Sequence, residues 1–148
     1  MAEPTTLEKI ADLPARYFAA WNSRDPGAAT ALLADDFVWE APSVPAPMST
    51  LEDAIRFFER SWVSFPDLQF ELLGAPMLGG GCVSQAWCAT GTHQGEGLPL
   101  GVPGTGRPVE VEGIDVFTVD AEGRAARVRT FYDSMTLAEQ LGLVSAAQ

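Results

Sequence analysis

Val109-Glu110-Val111-Glu112-Gly113-Ile114-Asp115-Val116-Phe117 alternates in a period of two, the pattern of a strand with one wet and one dry face. Val109, Val111, Gly113, Asp115 and Phe117 share one face, and Glu110, Glu112, Ile114 and Val116 share the other. Two glutamates mark the second face as the wetter, so Asp115 belongs to the inward one. A carboxyl flanked by Ile114, Val116 and Phe117 is costly to ionise, and its pKa is expected to rise until it can donate a proton. The plainer reading is an aspartate bonded to a backbone amide or an arginine.

Other strand-like runs occupy residues 68–73, 82–94, 107–119 and 124–132, and Asp120-Ala121-Glu122-Gly123 is a hairpin signal. Consecutive hairpins imply a twisted antiparallel sheet. Upstream the period is helical. Leu7, Ile10, Tyr17, Phe18 and Trp21 form a first stripe, with Pro14 either opening a new helix capped by Asp12 or kinking a longer one. Asp25-Pro26 caps a short second helix through residue 34, and residues 37–40 read as a strand ended by Pro42. Ser49-Thr50-Leu51-Glu52-Asp53 carries a capping pattern ahead of Ala54, Ile55, Phe57, Phe58 and Trp62, a third helix. Residues 135–142 add a terminal helical turn, with Asp133 as its cap and Arg129 within reach of Asp133. Three helices followed by a sheet make an α+β domain whose covered face encloses a pocket.

The 148 residues suit one domain, residues 1–148, and the 47% apolar content with eight Phe suits a folded core. A net charge of −11 with a single Lys argues against nucleic acid or an anionic membrane as partner. Cys82 and Cys88 have neither zinc nor redox spacing, and without a signal-peptide pattern or a membrane-length apolar run they read as reduced thiols in a cytoplasm. His93 is the single histidine and has no ligand-spaced carboxylate, so no protein-bound metal is expected. No glycine motif implies a nucleotide, and no cofactor is called for. The glycine-rich, apolar residues 95–106 read as a flap over a hydrophobic substrate, or else as an ordinary long hairpin loop.

The order of elements, Tyr17 with Asn22, the run Leu33-Ala34-Asp35-Asp36-Phe37-Val38-Trp39-Glu40-Ala41-Pro42, Phe65-Pro66-Asp67, Gly113-Ile114-Asp115-Val116-Phe117, and Phe131-Tyr132-Asp133 leading to Gln140-Leu141-Gly142 resemble the SnoaL-like polyketide cyclases. These belong to the nuclear-transport-factor-type cone superfamily, with ketosteroid isomerases and limonene-epoxide hydrolases as relatives. The resemblance spans roughly residues 10 to 143 and implies a cone-shaped barrel of curved antiparallel sheet covered by three N-terminal helices. It places Tyr17 and Asp115 where the isomerases keep two oxyanion-hole acids. Ala41 stands at the isomerase base, Asp115 at an active-site histidine of the cyclases, and Thr130 at an acid of cyclases and epoxide hydrolases.

Four residues are thus catalytic candidates. Tyr17 and Asp115 are hydrogen-bond donors to an oxyanion, whereas His93 and Glu40 are the groups available to move a proton. Trp21, Trp39, Phe58, Trp62, Trp87, Phe117, Thr130 and Tyr132 are the substrate-binding candidates. A helical tyrosine is otherwise a core residue, a strand histidine a polar neighbour, and Glu40 an edge carboxylate. The function expected is a cofactor-independent cyclase acting on a small apolar polyketide-like substrate, as a homodimer paired through the outer sheet face bearing Ile114 and Val116. A ketosteroid-isomerase-like double-bond isomerase and a non-enzymatic small-ligand or protein-binding module remain open beside it.

Overall fold

In the computed structural model, which describes residues 6–98 and 101–144 but not the side chains of residues 6 and 7, the chain forms four helices and one six-stranded sheet. The side chain of Leu7 in the first stripe, and Pro99 and Leu100 of the 95–106 segment, therefore lie outside what is described.

The first helix, α1 (Thr6–Ser23), runs unbroken through Pro14. An interior proline typically costs about 3 kcal/mol, which the burial of Leu13, Tyr17, Phe18 and Trp21 along one stripe offsets. Asp12 is consequently no cap and sits 4.0 Å from Arg16 instead. Asp25 caps α2 (Pro26–Thr30), accepting from the Ala28 amide at 3.0 Å. This helix is shorter than expected: β1 (Leu33–Glu40) begins at Leu33, buried and in register with Ala125, so residues 33 and 34 belong to the sheet.

Helix α3 (Leu51–Ser64) begins where expected, with the Thr50 hydroxyl accepting from the Asp53 amide at 3.1 Å. It turns Phe57, Phe58 and Ser61 inward. Thr50→Ala should lower stability by about 1 kcal/mol, read as a shift in the urea midpoint with an unchanged slope.

Four strands follow, β2 (Gln69–Leu72), β3 (Met77–Gly79), β4 (Cys82–Thr92) and β5 (Pro108–Val119), and then β6 (Ala125–Tyr132) and α4 (Ser134–Gln140). The sheet order is β1-β6-β5-β4-β2, with β3 also on β4. Because β1 and β2 end the path without pairing, the sheet is a curled, open cone rather than a closed barrel. One pairing departs from the antiparallel pattern: β1 lies parallel to β6, a crossover permitted by the long connection between them. The hairpin at Asp120 closes β5 onto β6, and Gly123 supplies its φ of 82°. Asp133 caps α4 by accepting from the Met135 amide at 2.9 Å.

Register fixes which side chains meet. Across β4 and β5, Gln85 faces Asp115 and Trp87 faces Gly113, while across β5 and β6 Thr130 faces Asp115 and Tyr132 faces Gly113. Paired residues share a face. The inward face of three strands thus converges on Asp115, under the aromatic side chains of α1 and α3.

Candidate active site

A cavity of about 360 Å³ lies between the concave face of the sheet and the helices. Trp21, Trp39, Phe57, Phe70 and Trp87 make its aromatic walls, Val109, Val111 and Leu98 add aliphatic surface, and Leu137 and Ala138 of α4 flank its mouth. Asp115 is the one carboxylate among the described residues that line it, and no lysine, arginine or histidine does so.

Asp115 is only 3% exposed. The Trp87 indole N–H donates to its Oδ1 at 3.1 Å, and Thr130 stands directly across from it on β6. Thr130 is itself held by the Trp39 indole N–H, 3.1 Å from its Oγ1. Burial raises the Asp115 pKa to about 7, and the Trp87 hydrogen bond and the neighbouring Thr130 hydroxyl pull the other way without overcoming it. Gly113 makes room for this arrangement, since a Cβ there would lie 2.4 Å from the Trp87 ring.

Tyr17 sits behind the wall, 1% exposed, with its ring 5.1 Å from that of Phe117 and 6.1 Å from that of Trp39. Its hydroxyl is buried and has no hydrogen-bond partner among the described residues. Burial, reinforced by the charge of Asp115, holds its pKa well above the ordinary tyrosine range, so it remains a neutral donor.

The other candidates are dispersed. His93 is fully buried just beyond β4, its ring 5.3 Å from Phe65, and it does not line the cavity. Its Nδ1 accepts from the Thr105 amide at 3.1 Å, so the neutral ring carries its proton on Nε2, a buried atom without a partner. His93 thereby ties down the far end of the 95–106 segment. Ser64 ties down the near end, accepting from the Leu98 amide through its hydroxyl and from the Gln94 amide through its carbonyl at 2.8 Å. The described part of that segment is hydrogen-bonded to the end of α3 and puts Leu98 in the wall of the cavity that the flap was expected to cover.

Glu40 does not reach the cavity. Strand parity that turns Trp39 inward turns Glu40 outward, where it pairs with Arg127 at 2.6 Å. Arg129 stacks over Phe131 at 5.0 Å rather than pairing with Asp133. Of the expected binding residues, Trp21, Trp39, Trp87, Thr130 and Tyr132 line the cavity. Phe58 and Phe117 are core residues behind it, and Trp62 stacks on Phe58 at 5.7 Å with its indole N–H unpartnered.

The sequence model of the SnoaL-like domain matches residues 15–128. The chain belongs to the SnoaL-like family. IdmH from Streptomyces antibioticus, a candidate polyketide cyclase, is 28% identical, with 88% of this chain and 96% of that one aligned at a TM-score of 0.71. AclR from Streptomyces galilaeus, a candidate hydroxylase, is 24% identical over 97% of this chain and 87% of its own, at a TM-score of 0.79. A candidate SnoaL-like polyketide cyclase from Jannaschia sp. CCS1 is 19% identical over 97% and 99%, at 0.82. The last two show the fold alone. Comparison with curated proteins gives no match.

The SnoaL-like match contains Tyr17 and Asp115 but ends before Thr130 and Tyr132, so this end of the site is read from the structure. Sequence reasoning missed Ser43, Ser61 and Ser134, the small hydroxyls of the lining: Ser43 and Ser134 sit on no periodic apolar face, whereas Ser61 shares the inward face of α3 with Phe57 and Phe58 and was findable from that spacing. It also missed the closing role of α4. Phe70 was the findable omission, since its parity within the 68–73 run puts it on the face opposite Gln69 and Glu71. Among the described residues no group of three His, Cys, Asp or Glu is placed to hold a metal, and no helix is long and apolar enough to cross a membrane.

Proposed function

We propose that this SnoaL-like protein is a cofactor-independent cyclase that closes a ring within an uncharged, apolar polyketide-like molecule. The observation that carries the reading is Asp115, a carboxyl buried in the wall of a largely apolar cavity and half protonated near neutral pH. Thr130 beside it does not titrate, which leaves Asp115 as the acid of the cavity.

Ring closure between an enol carbon and a ketone is redox-neutral. The enol carbon forms the new C–C bond, the ketone π bond becomes an alkoxide, and Asp115 gives that oxygen its proton. The enol hydroxyl proton then returns to the carboxylate. Tyr17, with its unused hydroxyl and its charge coupling to Asp115, is the second donor of the reading, supporting the carboxylate formed in that step. The aromatic walls fold the flexible chain so that its two reacting carbons meet, an orientation effect that needs shape rather than titrating groups. IdmH, the neighbour at 28% identity, is itself a candidate polyketide cyclase, which supports the assignment.

The test is conversion of an aryl 1,3-diketone with a pendant ketone to its cyclised product, followed by absorbance at pH 6. Asp115→Asn should lower turnover about 100-fold or more, and Tyr17→Phe by a smaller factor. Equal rates for wild type and Asp115→Asn would remove the acid from the reaction. The same reading has two copies pairing through the outer sheet face. There Ile114 and Val116 lie between Arg127 and Arg129 on one side and Glu110 and Glu112 on the other, charges that match across a two-fold axis. Sedimentation as a monomer at micromolar concentration would contradict that pairing.

A further inference from the structure

The cavity has a second polar end that the chemistry at Asp115 leaves unused. Tyr132 lines the wall two residues along β6 from Thr130, and Ser43 lines it too, near enough for its hydroxyl to ease the ionisation of the phenol. Burial raises the Tyr132 pKa, so the group stays a neutral donor and acceptor, while its hydroxyl is not among the sealed, unpartnered atoms. Ser134, exposed at the start of α4, lies beside them on the lining. Between this end and Asp115 the wall is the Trp87 indole, whose ring centroid is 6.3 Å from that of Tyr132 and whose N–H is committed to Asp115.

Thr130, which faces Asp115, and Tyr132 stand two residues apart on β6, about 7 Å from Cα to Cα. Indole and phenyl faces fill the interval. We infer that the site takes a flat, uncharged ligand carrying two oxygens at opposite ends of a fused two-ring span, one bonded at Asp115 and the other at the Tyr132–Ser43 pair. The inference rests on the proposed reading of the cavity and adds its substrate class. The inner oxygen is a carbonyl or hydroxyl, because the lining offers an anion no cation. The outer oxygen sets orientation: it decides which end of the molecule enters first and hence which carbonyl meets the acid.

Calorimetric titration of the wild type at pH 6 with 2-naphthol and with 2,6-dihydroxynaphthalene tests this. The diol should bind about tenfold more tightly than the mono-ol, the worth of one added hydrogen bond. In Tyr132→Phe and in Ser43→Ala, each checked by thermal melting for a folded chain, the ratio of the two affinities should fall toward one. Equal affinities in the wild type, or a ratio unchanged in both variants, overturns the inference, as does failure of both probes to bind. The titration of 2-naphthol into Asp115→Asn reports separately on the underlying reading. If that affinity matches the wild type while the Tyr132-dependent ratio persists, the outer anchor stands and the role of Asp115 does not.

Discussion

At pH 8 the Asp115→Asn variant should be more stable than the wild type, while at pH 4 the two should be nearly equal. The folded-state pKa of Asp115 is raised to about 7 by burial, against about 3.9 for an unfolded aspartate. Between those values the folded chain holds a proton that the unfolded chain has lost. Stability therefore falls as pH rises through that window and levels off above pH 7. The total is on the order of 4 kcal/mol. Asparagine fills the same space and carries no such penalty, so the gain at pH 8 corresponds to roughly 10 °C in melting temperature for a chain of this size. Thermal melts of both proteins at the two pH values check it. Equal destabilisation of the variant at both would mark the aspartate as an ordinary ion-paired or capping residue. A residue that weakens the fold at working pH and is nonetheless kept in the wall of a cavity fits a site where stability is traded for activity.

Gly113→Ala should be the most disruptive single-methyl change in the sheet. The added Cβ would stand 2.4 Å from the Trp87 ring and 2.6 Å from the Phe131 carbonyl oxygen, and neither is the loose end of a flexible side chain. Trp87 is 4% exposed and in contact with Phe70, so it has little room to retreat. The cost should be about 1–3 kcal/mol, measured by urea unfolding. A second effect follows from the geometry. Moving the indole breaks its 3.1 Å hydrogen bond to Asp115, and because that bond favours the ionised carboxyl, the Asp115 pKa should climb further. Wild-type stability together with an unmoved tryptophan near-ultraviolet circular dichroism signal would contradict the packing described.

The alternation from Val109 to Phe117 was enough to orient Asp115, because one side of a strand must be apolar to pack and its period admits no intermediate. Thr50, Asp25 and Asp133 announced their helices through local bonding, which acts over three residues and is readable from them. Glu40 shows where such reading stops. Parity puts Glu40 and its neighbour Trp39 on opposite faces of the strand, but only the register with β6, set by residues some ninety positions away, shows which of the two faces inward. The parallel β1–β6 pairing has the same origin. Of the two readings of Pro14, the new helix capped by Asp12 fails and the longer helix stands, because local propensity was outweighed by tertiary burial of the stripe around it. His93, Ser64 and the described parts of the 95–106 segment are joined in a way that no local pattern encodes, since the bonds link a strand end, a helix end and a loop. Tyr132 was read as a binding residue from the sequence, but its grouping with Ser43 at one end of the cavity was not legible, for the same reason.

The measurement that bears most directly on the account is a carbon-13 NMR titration of the aspartate side-chain carboxyls, with Asp115→Asn used to assign the Asp115 resonance, in the absence and presence of 2-naphthol. The account predicts a midpoint near 7 that moves upward when the phenol binds, because the protonated carboxyl is the form that donates to the ligand oxygen. A midpoint near 4, unmoved by the ligand, would show an ionised structural aspartate and contradict the claim that this cavity is built around an acid.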